Sequence, residues 1–216
     1  MESIDCLIIA GGEYTHLPPE WSEVPYVIAC DRGYEYATRM GLDPDIIIGD
    51  FDSSPYPSDS SAPVIKLPVQ KDDTDTMFAI KYAMEQGYKS IAICAALGGR
   101  FDHSFSNIQS AMWVVRHGGE CTLAGADGTM ISVFAGGGDS PVSDSVHLFR
   151  KREDFSFSVF SLTESSTGVT IRGSGYDGKE FALTSDFPLG VSNHWEADFI
   201  EVSAVDGILM AVESPL

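Results

Sequence analysis

The chain has 216 residues, 44% of them hydrophobic, which is enough to bury a substantial core in one large domain or two modest ones. With 32 acidic and 13 basic residues its formal net charge is -19, and such a charge repels nucleic-acid backbones and anionic membrane surfaces. The sequence contains no apolar run of the roughly 20 residues that a membrane span needs, and its first residues lack the basic region of a signal peptide. We therefore expect a cytoplasmic protein without nucleic-acid or membrane partners.

Residues 1–135 predict an α/β domain. Short apolar runs alternate with segments of helical periodicity, as is typical of a mostly parallel, doubly wound sheet covered on both faces. The runs that predict buried strands are 6–10, 26–30, 45–49, 90–96 and 121–125. The segments that predict helices are 32–40, 74–86 and 103–117, each followed by a glycine. The apolar face predicted for the third helix consists of Phe105, Ile108, Met112 and Val115.

The composition changes beyond this domain. Residues 136–144 are rich in Gly, Ser and Asp and predict an exposed linker. Residues 145–216 then contain short segments rich in β-branched and aromatic side chains, and the segment FSFSVFSL alternates apolar residues with serine. Such alternation predicts strands with one buried and one wet face. We therefore expect residues 145–216 to form a small all-β domain, an antiparallel sandwich.

Four short segments place aspartates where predicted strands end or helices begin. They are Asp31-Arg32-Gly33, Gly49-Asp50-Phe51-Asp52-Ser53, Lys71-Asp72-Asp73-Thr74-Asp75 and Gly98-Gly99-Arg100-Phe101-Asp102-His103. In an open α/β sheet the loops outside the carboxyl ends of the strands line one crevice, so we expect all four segments at one edge. Gly11-Gly12 follows the first predicted strand at the same edge and is a weak signal for phosphate binding.

The spacing of the acids indicates a divalent cation. If the chain is extended through Asp50 and Asp52, both carboxylates face the crevice and Phe51 turns toward the core. Neighbouring carboxylates repel each other unless one is protonated or a cation lies between them, and Asp31 and Asp75 add to this charge. A site made of oxygen ligands that also takes phosphate suits Mg²⁺, for which we predict Asp50, Asp52 and Asp75 as ligands.

Each acidic segment also has a simpler interpretation. Asp72 or Asp73 alone is explained equally well as a residue that caps a helix, and Asp31 alone as a turn residue. An Asp-x-Asp step after a strand is also typical of haloacid-dehalogenase-like phosphatases, in which Asp50 would be a nucleophile and inorganic phosphate a product. A non-catalytic module that binds calcium through these acids is a further alternative.

Taken together, the four segments resemble the motifs of the thiamine pyrophosphokinase family. The residues that carry the resemblance are D-R-G at 31–33, G-D-F-D-S at 49–53, D-x-T-D at 72–75, G-x-R-x-D-H at 98–103, and the Ser192-Asn193 step that follows Gly190. The resemblance implies an α/β nucleotide-binding domain followed by a β-sandwich. It also implies a Mg²⁺-dependent reaction of ATP with thiamine that yields thiamine diphosphate and AMP. Finally, it implies a homodimer in which thiamine lies between the α/β domain of one subunit and the sandwich of the other.

The resemblance also suggests roles for individual residues. Arg100 would clamp a phosphate, because its planar guanidinium matches phosphate geometry. Asp102 would orient or deprotonate the hydroxyl of thiamine, or else support Arg100. Thr74 would bind phosphate or cap its helix, and Trp195 would stack on the pyrimidine ring or belong to the core. The other residues predicted to bind substrates are Gly11, Gly12, Asp31, Arg32, Asp72, His103, Ser192 and Asn193. Lys71 and Asp73 are unusual residues for their positions in the family pattern.

Overall fold

The computed structural model describes residues 3–52, 54–70, 72–137 and 146–216. Ser53, Lys71 and nearly all of the predicted linker 136–144 lie outside the described residues. All four cysteines are buried and free. No helix in the described ranges is long and apolar enough to cross a membrane.

The chain divides into two compact units at Gly128–Thr129. The sequence analysis placed this boundary at residue 135. The difference arises because residues Met130–Ala135 form a strand that pairs with the C-terminal strand Ile208–Pro215. This segment therefore belongs with the second unit.

The first unit is built around a parallel sheet. Its strands are β1 (Cys6–Ile9), β2 (Val27–Cys30), β3 (Ile46–Gly49), β4 (Val64–Lys66), β5 (Ser90–Leu97) and β6 (Glu120–Gly125). Its helices are α1 (Gly33–Met40), α2 (Asp75–Glu85) and α3 (Phe101–Arg116), with one 3₁₀ turn at Pro19–Trp21. The strands lie in the order β4-β3-β2-β1-β5-β6, and every pairing among them is parallel. The sequence analysis located every strand except β4.

The direction in which strands are added reverses next to β1. From β1 the chain adds β2, β3 and β4 on one side and then returns to add β5 and β6 on the other. Right-handed crossovers then place the helices of the two halves on opposite faces, which is the doubly wound arrangement. Ligands bind such sheets outside the carboxyl ends of the strands at the point of reversal. Here that point lies between β1 and β5.

The helices pack on this sheet through small residues. A Cβ added to Gly33 in the first turn of α1 would lie 1.9 Å from the carbonyl oxygen of Ile9, so only glycine permits this close approach. The buried residues of α3 are Ser110, Ala111, Val114 and Val115. Of the apolar face predicted for this helix, Val115 is buried, Ile108 and Met112 are half-buried, and Phe105 is 50% exposed.

The second unit is all-β, and its strands pair antiparallel. Its strands are β7 (Met130–Ala135), β8 (His147–Arg150), β9 (Phe155–Ser161), β10 (Ser165–Arg172), β11 (Gly178–Thr184), β12 (Phe199–Ser203) and β13 (Ile208–Pro215). Strands β7, β13 and β9 pair in that order, and β11, β10, β12 and β8 form the second sheet. Side chains from both groups of strands share one apolar core, an arrangement that is typical of a sandwich. Strand β7 precedes the region 145–216 that the sequence assigns to this domain.

Candidate active site

A cavity of about 740 Å³ opens at the carboxyl edge of the parallel sheet. Loops that follow β1, β2, β3 and β5 form its wall, together with the first turns of α2 and α3. The predicted residues that line it are Gly11, Gly12, Asp31, Arg32, Asp50, Asp52, Thr74, Asp75, Arg100 and His103. The four acidic segments therefore meet in one place, as expected for loops at the carboxyl edge.

The turn after β3 differs from the extended chain that we expected. Phe51 has a φ of 56°, and the backbone N–H of Asp52 donates to Oδ1 of Asp50 at 3.2 Å, which closes a tight turn. The ring of Phe51 lies edge-on to Tyr56, with centroids 5.2 Å apart, and does not enter the core. The carboxylates of Asp50 and Asp52 line the cavity nevertheless.

The ends of β2 and β3 are held together at Asp31. Its backbone N–H donates to the carbonyl of Ile48 at 2.9 Å, and its Oδ1 accepts from the hydroxyl of Ser54 at 2.7 Å. A Cβ added to Gly49 would lie only 3.1 Å from the Cα of Asp31, so the glycine of the G-D-F-D-S motif allows the close contact. Asp31 also has a positive φ of 49°, a conformation that is sparsely populated outside glycine and typical of functional loops.

The start of α2 shows one of the two roles that the sequence offers for Thr74. Oγ1 of Thr74 accepts from the backbone N–H of Met77 at 3.1 Å, so Thr74 caps the helix. Asp73 forms an ion pair with Nζ of Lys81 at 2.6 Å. Asp75 follows in the first turn and has one carboxylate oxygen fully buried. Asp72 is exposed and is not among the described residues that line the cavity, contrary to its predicted role.

Helix α3 begins at Phe101, earlier than predicted, so Asp102 and His103 lie in its first turn. Arg100 lines the cavity, whereas Asp102 does not. The carboxylate of Asp102 accepts hydrogen bonds from Arg100, at 3.1 Å from Nε and 2.5 Å from Nη2. These hydrogen bonds raise the pKa of Arg100 and, together with the positive charge of Arg100, lower the pKa of Asp102. Both side chains are mostly exposed, so water weakens the pair.

Several residues of the cavity wall carried no signal in the sequence. Glu13 lies against the β5–α3 loop, since a Cβ added to Gly98 would be 2.6 Å from its Oε2. Nδ2 of Asn107 donates to the carbonyl of Ala96 at 2.7 Å and ties α3 to the end of β5. Burial raises the pKa of the Cys30 thiol well above its usual range, so Cys30 contributes a neutral surface.

Asn193 belongs to the second unit, where both atoms of its side-chain amide make hydrogen bonds. Its Oδ1 accepts from the backbone N–H groups of Tyr176 and His194, and its Nδ2 donates to Ser174 and to the carbonyl of Tyr176. These bonds leave the Asn193 amide little capacity to bind a substrate. The adjacent Ser192 has a φ of 61°.

Trp195 is part of the core of the second unit. Its side chain is buried in the core, and its indole Nε1 donates to the carbonyl of Phe149 at 3.0 Å. The structure thus favours the core role over the stacking role for Trp195.

The acidic wall has the chemistry that a magnesium site requires. Among the described residues, no three His, Cys, Asp or Glu side chains are already arranged around one point that would suit a metal ion. However, Asp31, Asp50, Asp52 and Asp75 line one cavity with hard oxygen ligands. Mg²⁺ that accompanies a nucleotide is usually held by one or two carboxylates, with phosphate oxygens and water as its other ligands. The donor set therefore fits Mg²⁺.

Comparisons with known proteins agree with this geometry. The family model described as "Thiamin pyrophosphokinase, catalytic domain" matches residues 17–123, which include all four acidic segments. The chain is 24% identical over 203 residues to thiamin pyrophosphokinase 1 of Caenorhabditis elegans, covering 89% of this chain and 81% of that protein. The chain belongs to the thiamin pyrophosphokinase family.

Solved structures extend the similarity beyond the matched region. The thiamine pyrophosphokinase of Bacillus subtilis superimposes with a TM-score of 0.82 at 25% identity, covering 98% of this chain and 99% of that one. The Candida albicans enzyme shares the fold with a TM-score of 0.74 at 14% identity, covering 98% and 89% of the two chains. Both units of the chain thus have counterparts in thiamin pyrophosphokinases. The activity of the family is transfer of diphosphate from ATP to thiamine.

Proposed function

We propose that the cavity at the carboxyl edge of the parallel sheet is where this chain transfers the diphosphate of ATP to the hydroxyl of thiamine. The observation that carries the proposal is the convergence of the aspartate-bearing loops, Gly11-Gly12 and Arg100 on one cavity. Its volume of about 740 Å³ lies within the range of about 300–1,000 Å³ typical of small-molecule sites. Such a reaction depends mainly on positioning and on neutralising charge, and this wall supplies groups for both.

The carboxylates of Asp50, Asp52 and Asp75 would hold Mg²⁺. Bound there, the ion would neutralise charge on the phosphate oxygens of ATP. This accounts for a strongly acidic site that accepts a polyanion. The same acidic wall attracts the fixed positive charge of the thiazolium ring of thiamine.

The chain's own groups position the reactants. The guanidinium of Arg100 releases the carboxylate of Asp102 and binds a phosphate instead. It donates two parallel hydrogen bonds to that phosphate. The hydroxyl oxygen of thiamine then bonds to the β-phosphorus, and the bond between that phosphorus and the oxygen of the α-phosphate breaks to release AMP. Asp102 does not line the cavity while it holds Arg100; once freed, its carboxylate would turn toward the hydroxyl and orient it or accept its proton. His103 and Arg32 line the same wall, where they would contact the nucleotide.

We further propose that the active form is a cytoplasmic homodimer, with thiamine held between the cavity of one subunit and the sandwich of its partner. This extends the family resemblance to assembly. It is supported by three exposed apolar side chains at alternate positions of one sandwich loop, Phe187, Leu189 and Val191. Light scattering during size-exclusion chromatography tests the dimer, and elution at the mass of a single chain would refute it.

Incubation of the purified chain with ATP, Mg²⁺ and thiamine tests the reaction. We expect AMP and thiamine diphosphate in equal amounts, with no AMP when thiamine is omitted. Release of inorganic phosphate would instead favour a phosphatase that uses Asp50 as nucleophile. Absence of any product, combined with calcium binding, would favour a non-catalytic module.

The substitution Asp52→Asn tests the assignment of the metal ligands. It removes one carboxylate charge with little change in shape, so we expect the thiamine-dependent release of AMP to be abolished and the melting temperature to stay the same. Asp43→Asn is a matched control, because Asp43 is exposed at the opposite end of β3. Activity in Asp52→Asn equal to that of the control would remove Asp52 from the metal site.

A further inference from the structure

The loop after β1 is held from two sides at Gly12. Its backbone N–H donates to the carbonyl of Ala95 in β5 at 3.2 Å, and its carbonyl accepts from the hydroxyl of Tyr36 in α1 at 2.9 Å. Ala95 has a φ of 55°, and the pairing of β5 with β6 is irregular between Ile93 and Leu97. The irregularity is a β-bulge, at which the carbonyl of Ala95 points toward Gly12.

Tyr36 is itself fixed by its surroundings. Its side chain is only 8% exposed, and the ring of Tyr14 packs edge-on against it, with centroids 5.3 Å apart. The guanidinium of Arg39 covers the Tyr14 ring at 3.7 Å from its centroid. The close packing of Gly33 against β1 sets the distance between α1 and the loop. The Tyr36 hydroxyl is therefore a rigid donor.

The direction of the Gly12–Glu13 peptide follows from this hydrogen bond. A trans peptide is planar, and its C=O and the next N–H point in opposite directions. Because Tyr36 draws the Gly12 carbonyl toward α1, the N–H of Glu13 points away from α1. Glu13 is part of the cavity wall at the switch point of the sheet.

We infer that Tyr36 is a positioning residue for ATP: its hydroxyl fixes the Gly12–Glu13 peptide so that the N–H of Glu13 faces a phosphate of the nucleotide. The inference rests on the proposed function, which places ATP in this cavity. A backbone N–H held in this way binds a phosphate oxygen without the cost of ordering a flexible loop. Tyr36 itself touches no substrate.

The substitution Tyr36→Phe removes only the hydroxyl. We expect the KM for ATP to rise about three- to tenfold, the range of one lost hydrogen bond, while kcat and the KM for thiamine change by less than about twofold. Tyr34→Phe is the matched control, because Tyr34 lies in the same helix and its hydroxyl donates to exposed Asp59 at 3.4 Å. A purely structural role of Tyr36 would lower the melting temperature without this selective change in KM.

Calorimetric titration with ATP and Mg²⁺ in the absence of thiamine separates the inference from the proposed function. Weaker binding by Tyr36→Phe than by Tyr34→Phe supports the inference even if no thiamine diphosphate is formed. Equal affinities overturn it even if the reaction occurs, and so does a lack of ATP binding by the unmodified chain. If Tyr36→Phe does not fold, Tyr14→Leu removes the supporting ring instead and should weaken ATP binding in the same direction. Unchanged affinity in that variant overturns the inference.

Discussion

Replacing Gly12 with alanine should damage the nucleotide site far more than replacing its neighbour Gly11. A Cβ at Gly12 would lie 2.4 Å from the carbonyl oxygen of Ala95, whereas real Cβ atoms essentially never come within 3.0 Å of another heavy atom. The loop must therefore move away from β5 and lose its bond to Ala95. Because a misplacement of about 1 Å costs on the order of 100-fold in rate, we expect kcat/KM for ATP to fall about 10- to 100-fold.

The comparison with Gly11→Ala isolates this effect. A Cβ at Gly11 meets its nearest neighbour, the Cβ of Arg32, at an ordinary 3.5 Å. Both variants add one methyl group to the cavity wall, so any effect of the added bulk is common to them. Steady-state kinetics with ATP varied at saturating thiamine, together with thermal melts, give the required numbers. Equal values of kcat/KM for the two variants would refute the role assigned to the Gly12–Ala95 contact.

Two further predictions concern stability. Thr74→Ala should lower the free energy of unfolding by about 1 kcal/mol through loss of the α2 cap, whereas Thr74→Ser should retain it; equal losses in urea denaturation would exclude the capping role. His147 packs on Phe134, and burial lowers the pKa of His147 from 6.5 to about 4. The unfolded chain therefore takes up a proton first, and stability is lost as the pH falls from about 6.5 to 4, by at most about 3 kcal/mol. His147→Gln should reduce this loss, and an identical pH profile of unfolding would contradict the assignment.

The sequence predicted that the acidic segments converge, because its motifs sit at positions that the sheet topology brings together. Buried apolar runs located the strands that end at Asp31 and Asp50, and the parallel order then placed these residues at one edge. Glycines after helices marked their ends correctly. The order of the acidic segments was enough to indicate the family before any contact was known.

What the sequence did not reveal depends on contacts between distant segments. The bulge at Ala95 lies inside an uninterrupted apolar run. The pattern of residues therefore does not indicate the positive φ of Ala95. The hydrogen bond from Tyr36 to Gly12 joins residues on different elements. The exposure of Phe105 was not predicted, because the inward face of α3 consists of Ser110, Ala111, Val114 and Val115. Local patterns carry no information of this kind.

The central claim is that the aspartates of the cavity hold a divalent cation and, through it, the polyphosphate of ATP. A crystal structure with Mg²⁺, a non-hydrolysable ATP analogue and thiamine tests it most directly. We predict the triphosphate between the Gly11-Gly12 loop and Arg100, with Mg²⁺ bound, directly or through water, by Asp50, Asp52 and Asp75. A nucleotide bound outside this cavity, or a metal ion with no contact to these carboxylates, would contradict the account.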